Sequence, residues 1–421
     1  MKRSYITEVK SSSKNVFLQG WIQRVKLFGN LAFIILRDST GIIQCVALKK
    51  NLPYFHDLKD ITPESVAEIE GTVQKNKEAK QGYEVIIKKI NILSKALTPL
   101  PIDVEKSKTL IDKRLDYRFL DLRRPEIQAI FKIQSEISNS FKEFFYKKGF
   151  IEMQPPCIIS SASEGGTELF PVQYFEKKAF LAQSPQLYKQ MLTSSLEKVF
   201  MLTPVWRAEK HNTIRHINEI RQMDIEMAFA NQFDVMKELE EAVQYIVKNV
   251  TKKCKKEIEI LNLKLKVPKA VYLSYEQAIK KANGKIGEDF TPEQEKKLCD
   301  LYPNSIIFTH SWPVSIKPFY IMPKDENPNS KLGEGFDALY GGIEIASGGQ
   351  RIHIPRLLME MIKSKGLNPN NFESYINSFK YGSASHSGWS IGLERLTCVI
   401  CNLENIREGT LFPRDRERLT P

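Results

Sequence analysis

Three short segments bring together residue types able to do chemistry. In the first, Trp206-Arg207-Ala208-Glu209 is followed by Lys210-His211-Asn212-Thr213-Ile214-Arg215-His216. A strand–loop–strand unit here puts Arg207 on a rigid strand and the Arg215–His216 pair on a loop. A guanidinium is planar and always charged, so a fixed one suits phosphoryl oxygens, although an Arg–Glu network at a hairpin would use the same residues. In the second segment Asp337 and Glu344 stand seven apart, with Ser347 and Arg351 beyond them. An odd separation on a regular strand sends two side chains to opposite faces. The intervening Gly341-Gly342 can break that regularity through a turn or bulge, and the two carboxylates then share a hard divalent cation such as Mg²⁺; solvated hairpin carboxylates are the alternative. The third segment, Gly388-Trp389-Ser390-Ile391-Gly392-Leu393-Glu394-Arg395, ends a strand in small residues and puts an arginine in the first turn of an apolar helix. Glycine admits a flat ligand closely, and arginine stacks on its face.

Other chemistries find little support. There is no Gly-x-x-x-x-Gly-Lys phosphate loop and no Gly-x-Gly-x-x-Gly between a strand and a helix. The six histidines show no metal-ligand spacing, and Cys398-x-x-Cys401 is a single pair beside Leu396 and Val399, better suited to packing than to zinc. The six cysteines are too sparse for a disulfide scaffold, which implies a reducing, cytoplasmic setting. No apolar run approaches the ~18 residues of a spanning helix, and no apolar stretch follows Met1-Lys2-Arg3 as a secretory signal requires.

These segments need scaffolds. At 421 residues, 42% hydrophobic and 27% charged, the chain can form two or three globular domains. Net charge is +12, and residues 1–104 carry 16 Lys/Arg against 10 Asp/Glu, half of that excess. A basic N-terminal module fits a polyanionic partner, although a lysine-rich soluble protein would look the same. Within it, strands are predicted at 16–22, 31–36, 41–46, 67–73 and 82–92, with a helical patch near 54–61. That is the pattern of a five-stranded Greek-key barrel, the OB-fold, a common platform for single-stranded nucleic acid. The charged stretch 105–125 reads as a hinge. From Pro125 the period becomes helical through Ile127, Ile130, Phe131, Ile133, Ile137, Phe141 and Phe145, ending at Gly149. The remainder, 126–421, mixes strands (218–229, 305–309) with helices (233–255, 355–364, 393–402) without regular alternation. An α+β domain with a mainly antiparallel sheet flanked by helices is therefore expected.

Taken in order, the segments resemble the three signature motifs of class II aminoacyl-tRNA synthetases. Motif 1 resembles the helix from Ile127 together with Gly149-Phe150-Ile151-Glu152-Met153-Gln154-Pro155-Pro156; motif 2 resembles 206–209 through Asp224-Ile225-Glu226, and motif 3 Gly392-Leu393-Glu394-Arg395. An N-terminal OB-fold narrows the resemblance to the subgroup charging with Asp, Asn or Lys. Gln183-Ser184-Pro185-Gln186-Leu187-Tyr188-Lys189-Gln190, Ser163-Glu164-Gly165-Gly166 and Gly349-Gln350-Arg351-Ile352-His353 are similar to the stretches of its aspartate-charging branch. The 218–337 span leaves no room for the bacterial insertion domain, which makes the chain similar to the short archaeal and eukaryotic type.

The resemblance implies an ATP-dependent ligase that forms aspartyl-AMP and charges tRNA-Asp, with tRNA-Asn a second candidate. It implies Arg207, Glu344 and Arg395 as catalytic; Arg207, Glu209, Arg215, His216, Ile217, Glu344, Gly392, Leu393, Glu394 and Arg395 on ATP; and Asp337, Glu344 and Ser347 on Mg²⁺. Aspartate would meet Glu164, Gln186, Lys189, Arg207, Asp224, Ser347 and Arg351, the buried cations Lys189 and Arg351 choosing its second carboxylate. In the barrel, Lys26, Phe33 and Gln44 would read the anticodon, the ring stacking on a base. Ile220 stands where many relatives place an aromatic against adenine. A homodimer built on the motif 1 segment is implied, with neither membrane nor DNA as partner. The competing readings are a tRNA-independent paralogue making free asparagine and an inactive tRNA-binding protein. Phe33 and Gln44 argue against the first, and the complete set Arg207, Glu209, Glu344, Arg351 and Arg395 against the second.

Overall fold

A computed structural model describes residues 2–105, 108–161, 169–210 and 213–421. The chain divides into two compact units, Met1–Thr109 and Leu110–Pro421. In the first, strands Asn15–Phe28, Leu31–Arg37, Ile42–Leu48, Val66–Lys75 and Tyr83–Ser94 close into a barrel. Alternate residues such as Leu18, Ile22, Ile34, Leu36, Ile43 and Ile69 fill its interior, as a period of two requires. The connection before the fourth strand holds two short 3-10 helices, Lys49–Asn51 and Phe55–Asp60, the second at the helical patch expected near 54–61. Phe55 and Leu58 plug the barrel end with too few apolar positions to support further turns.

The second unit holds an eight-stranded sheet in the spatial order Lys269–Ser274, Ser305–Pro313, Leu332–Tyr340, Ile343–Gln350, His386–Gly392, Glu219–Ala228, Lys198–Trp206, Ile151–Glu152. All neighbours are antiparallel except the pair at each edge. Its apolar face, with Phe200, Met223, Ile225, Phe336, Trp389 and Ile391, packs on helices Pro125–Lys147, Gln232–Lys253 and Leu393–Cys401. The long helix ends where Gly149 adopts φ +77, as expected from the sequence. Cys398 and Cys401 are buried in the last of these helices, and burial pushes both thiols up to about 12. Among the described residues no helix is long and apolar enough to cross a membrane.

The 105–125 stretch differs from the expected hinge. It contains helices Ile111–Asp116 and Arg118–Asp121, and the Arg118 side chain is almost wholly buried. Its guanidinium donates to the carbonyls of Leu411, Glu408 and Thr410 and to Asp121. Charge density suggested a solvated linker, yet the cation is satisfied by carbonyls far away in sequence.

Candidate active site

The sheet face opposite the core carries the chemistry. Along Glu219–Ala228, Met223 and Ile225 enter the core while Gln222, Asp224 and Glu226 share the other face, together with Ser390 and Gly388 of the neighbouring strand. A cavity of about 220 Å³ opens there, lined by Arg207, Glu209, Arg215, His216, Ile217, Glu344, Ser347, Gly392, Glu394 and Arg395. The three segments singled out by their residue types thus converge.

Arg207 lies one residue past its strand rather than on it. Asn218 braces it instead: the Arg207 N–H donates to the Asn218 carbonyl at 2.9 Å, and Asn218 Nδ2 donates to the carbonyls of Arg207 (2.6 Å) and Glu209 (3.1 Å). Among the described residues the Arg207 guanidinium has no carboxylate partner. Thr213 Oγ1 lies 2.7 Å from His216 Nδ1, and His216 Nε2 is 4.0 Å from Glu209 Oε2. Arg395 Nη1 donates to the Glu344 carbonyl at 2.9 Å and lies 3.7 Å from its carboxylate. Two motif 3 side chains are buried. Leu393 is buried in the core, and the Glu394 carboxylate accepts the Arg221 N–H, tying helix to strand. Burial pushes Glu394 up to about 7, against that bond.

The paired carboxylates owe their placement to two devices. Gly341 and Gly342, at φ +64 and +92, form a two-residue hairpin between Tyr340 and Ile343. The register then slips, pairing Ala338 with Ala346 but Leu339 with Glu344, so Ile345 is an extra residue. This bulge returns Glu344 to the face of Asp337 and Ser347, which sit directly opposite each other. Desolvation and the Asp337 charge push the Glu344 carboxyl up, against Arg395 and Lys317. Among the described residues no cluster of three His, Cys, Asp or Glu side chains exists. Two carboxylates and a hydroxyl nevertheless suit a small hard cation that takes its other ligands from phosphates and water. Lys317 Nζ, 2.5 Å from Asp337 Oδ2, supplies positive charge at the same place.

Below the cavity, Ser390 Oγ donates to Asp224 Oδ2 at 3.1 Å and leads into a buried floor. Lys189 Nζ reaches Asp224 Oδ1 (2.7 Å) and Glu226 Oε2 (3.4 Å), with the carbonyls of Ile225 and Trp389 at 3.3 and 3.2 Å. Arg351 grips Glu226 through both Nε (2.9 Å) and Nη2 (3.3 Å). The two buried cations that the resemblance implies for the substrate are each matched by a carboxylate of the protein, because fully buried charges need partners. Burial raises Asp224 in spite of Lys189; on Glu226 the same burial is outweighed by Arg351 and Lys189, which hold it low. Gln186 is buried at the start of helix Gln186–Leu196, its Nε2 without a partner. Glu164 lies outside the described residues.

Residues 111–416 match the family of tRNA synthetases class II (D, K and N), and residues 16–93 match the OB-fold nucleic acid binding domain. This chain belongs to the class II tRNA synthetases. It is 44% identical over 430 residues to the aspartate--tRNA(Asp/Asn) ligase of Methanocaldococcus jannaschii, covering 99% of this chain and 98% of the relative. It is 45% identical over 444 residues to the aspartate--tRNA(Asp) ligase of Pyrococcus horikoshii, covering all of both. Among solved structures, asparaginyl-tRNA synthetase from Pyrococcus horikoshii with asparaginyl-adenylate superposes with a TM-score of 0.93 at 33% identity, covering all of both chains. Aspartyl tRNA synthetase from Entamoeba histolytica gives 0.89 at 32%, covering 100% of this chain and 93% of that one.

The synthetase carries its expected anticodon residues on one outer barrel face. Lys26 pairs with Phe33 across two strands, and Gln44 stands on the next. Phe33 is half-exposed, while Gln44 Nε2 donates to the buried Glu84 carboxylate (2.8 Å), which Asn76 also holds (2.9 Å). Sequence reading assigned no role to Glu84, Gln222, Glu226, Ser390 or Lys317. Period two from Asp224 would have placed Gln222 and Glu226 on the site face; nothing local marks Lys317 or Glu84. The class takes ATP with a divalent metal, and binds tRNA and an amino acid.

Proposed function

We propose that this synthetase activates L-aspartate with ATP to aspartyl-AMP and transfers the aspartyl group to the 3′ end of tRNA-Asp. One observation carries the reading: the Arg207 guanidinium, without a carboxylate partner among the described residues, borders a floor in which Lys189 and Arg351 offset Asp224 and Glu226 in formal charge. Adding a dicarboxylic amino acid brings net charge −1 to the site, and Arg207 is the free cation that meets it. An asparagine guest would be neutral and would leave Arg207 without that match.

In this reading the α-carboxylate, already ionised, attacks the α-phosphorus in line while the bond from that phosphorus to the bridging oxygen breaks and pyrophosphate leaves, so no side-chain base is needed. Arg207 holds the attacking carboxylate and the α-phosphate together and stabilises charge that grows between them. Glu209 reads the adenine amino group, Arg215 and His216 meet the outer phosphates, Ile217 and Ile220 wall the base, and Arg395 stacks on it beside Gly392. Asp337, Glu344 and Ser347 would hold Mg²⁺, which would supply positive charge against the phosphates. Lys189, Ser347 and Arg351 orient the aspartate carboxylates; Glu164, Gln186 and Asp224 take the amino end. Lys26, Phe33 and Gln44 bind the anticodon. We assign the exposed face of helix Pro125–Lys147 and edge strand Ile151–Glu152 to a homodimer contact, supported by exposed Tyr146 and Ile151.

Pyrophosphate exchange over the twenty amino acids tests the reading, with exchange expected for aspartate. Exchange with asparagine or lysine in its place would overturn it. Charging purified tRNA-Asp and tRNA-Asn side by side then fixes the acceptor.

A further inference from the structure

Arg215 is a nucleotide-side cation that forms a close ion pair directed away from the nucleotide cavity. Its Nη1 lies 2.9 Å from Glu295 Oε2, with 32% of the arginine side chain and 15% of the glutamate exposed. Glu295 belongs to helix Pro292–Leu301, which a Thr291–Gln294 capping box fixes at its start. It lines a second, outer chamber of about 940 Å³ that adjoins the nucleotide cavity. Arg215 lines both chambers, whereas Glu295 lines only the outer one. The backbone beside Arg215 is also anchored, since the Ile406 N–H donates to the Ile214 carbonyl at 2.9 Å. The side chain therefore stands on a fixed base between two destinations and leans outward onto Glu295.

We propose that Glu295 is the resting partner of Arg215 and thereby sets the affinity for ATP. It holds the guanidinium toward the outer chamber until the terminal phosphates draw it across. This rests on reading the inner cavity as the ATP site. A polyphosphate offers more charge and more acceptor oxygens than a single carboxylate, so exchange of partners favours the nucleotide. Until that exchange, the fraction of protein with Arg215 free is small, and apparent affinity falls by that fraction. After pyrophosphate leaves, Glu295 takes the arginine back.

The test is ATP binding, with Mg²⁺ present, measured by calorimetry on the full chain and its variants. Burial and then the Glu344 charge push Glu295 up to about 7, so binding is measured well above pH 7, where Glu295→Gln keeps shape and polarity but removes a full charge. Roughly 5- to 10-fold tighter ATP binding is expected, with aspartate binding unchanged, and no further tightening when Glu295→Gln is added to Arg215→Ala. Weaker binding by Glu295→Gln would overturn the proposal, because Glu295 would then be orienting Arg215 onto the phosphates. Unchanged binding would overturn it too, as would equal tightening in the Arg215→Ala background, which would mean that Glu295 simply repels phosphate. In those three cases the ATP site itself stands. A wild-type chain that bound no ATP would sink the site reading along with the proposal.

Discussion

Gly388 lies directly opposite Glu226 on the neighbouring strand, and a β-carbon there would come within 2.1 Å of Glu226 Oε2 and 2.2 Å of the Ile225 carbonyl. The strand passes this close because the carboxylate must reach Arg351 and Lys189 beneath it. Gly388→Ala therefore displaces either backbone or a fully buried ion pair. We expect a loss of about 3 kcal/mol or more in urea unfolding, together with loss of aspartate-dependent pyrophosphate exchange. A variant of wild-type stability would show that the floor yields more readily than its packing indicates.

Arg207 is the opposite case, a cation whose guanidinium has no carboxylate partner among the described residues. Arg207→Ala should leave the thermal midpoint within a degree or two, while exchange activity falls by ~10³-fold or more, the scale for a guanidinium on a phosphoryl transition state. Activity and melting measured on the same preparation separate the two effects; a large drop in midpoint would contradict the unpaired geometry.

His386 gives the fold a pH dependence. Its ring stacks on Phe379 at 5.4 Å and sits within hydrogen-bonding distance of the Ala384 carbonyl and the Gln190 side chain. Burial pushes it down to about 4 from an ordinary 6.5, against the pull of Glu226. The neutral ring is thus the form the folded state prefers. Its contribution is complete above pH 6.5 and is lost as pH falls through 4, at most ~3 kcal/mol. Unfolding curves between pH 7.5 and 4.5 should show this decline, and His386→Gln should flatten it. An equal slope in the variant would assign the dependence to other groups.

The barrel can be probed apart from the chemistry. Phe33 is half-exposed on the outer face, so Phe33→Ala should cost little stability. Loss of one stacked base is worth ~1–3 kcal/mol, or a roughly 5- to 150-fold fall in kcat/KM for tRNA. Pyrophosphate exchange without tRNA should not change. Unaltered tRNA charging would remove Phe33 from the anticodon face.

Much of this was legible in the order of residues. Alternation around Leu18, Ile34 and Ile69 announces barrel strands, and the helical spacing from Ile127 to Phe145 announces the long helix, because each pattern reports which side of an element faces the core. The motifs around Arg207, Glu344 and Arg395 likewise carry their chemistry in types and spacing. What folding alone decided is who pairs with whom. Arg118, in a stretch that reads as a hinge, is buried against Asp121 and donates its remaining N–H groups to carbonyls at 408–411. Glu344 reaches the face of Asp337 through a bulge at Ile345 that no residue type signals. Lys189 and Arg351 read as free cations until Asp224 and Glu226 are brought beneath them. A periodic pattern records the local contrast between core and solvent, whereas the charge balance of a buried site is set by groups far apart in the chain, and only closing the sheet brings them together.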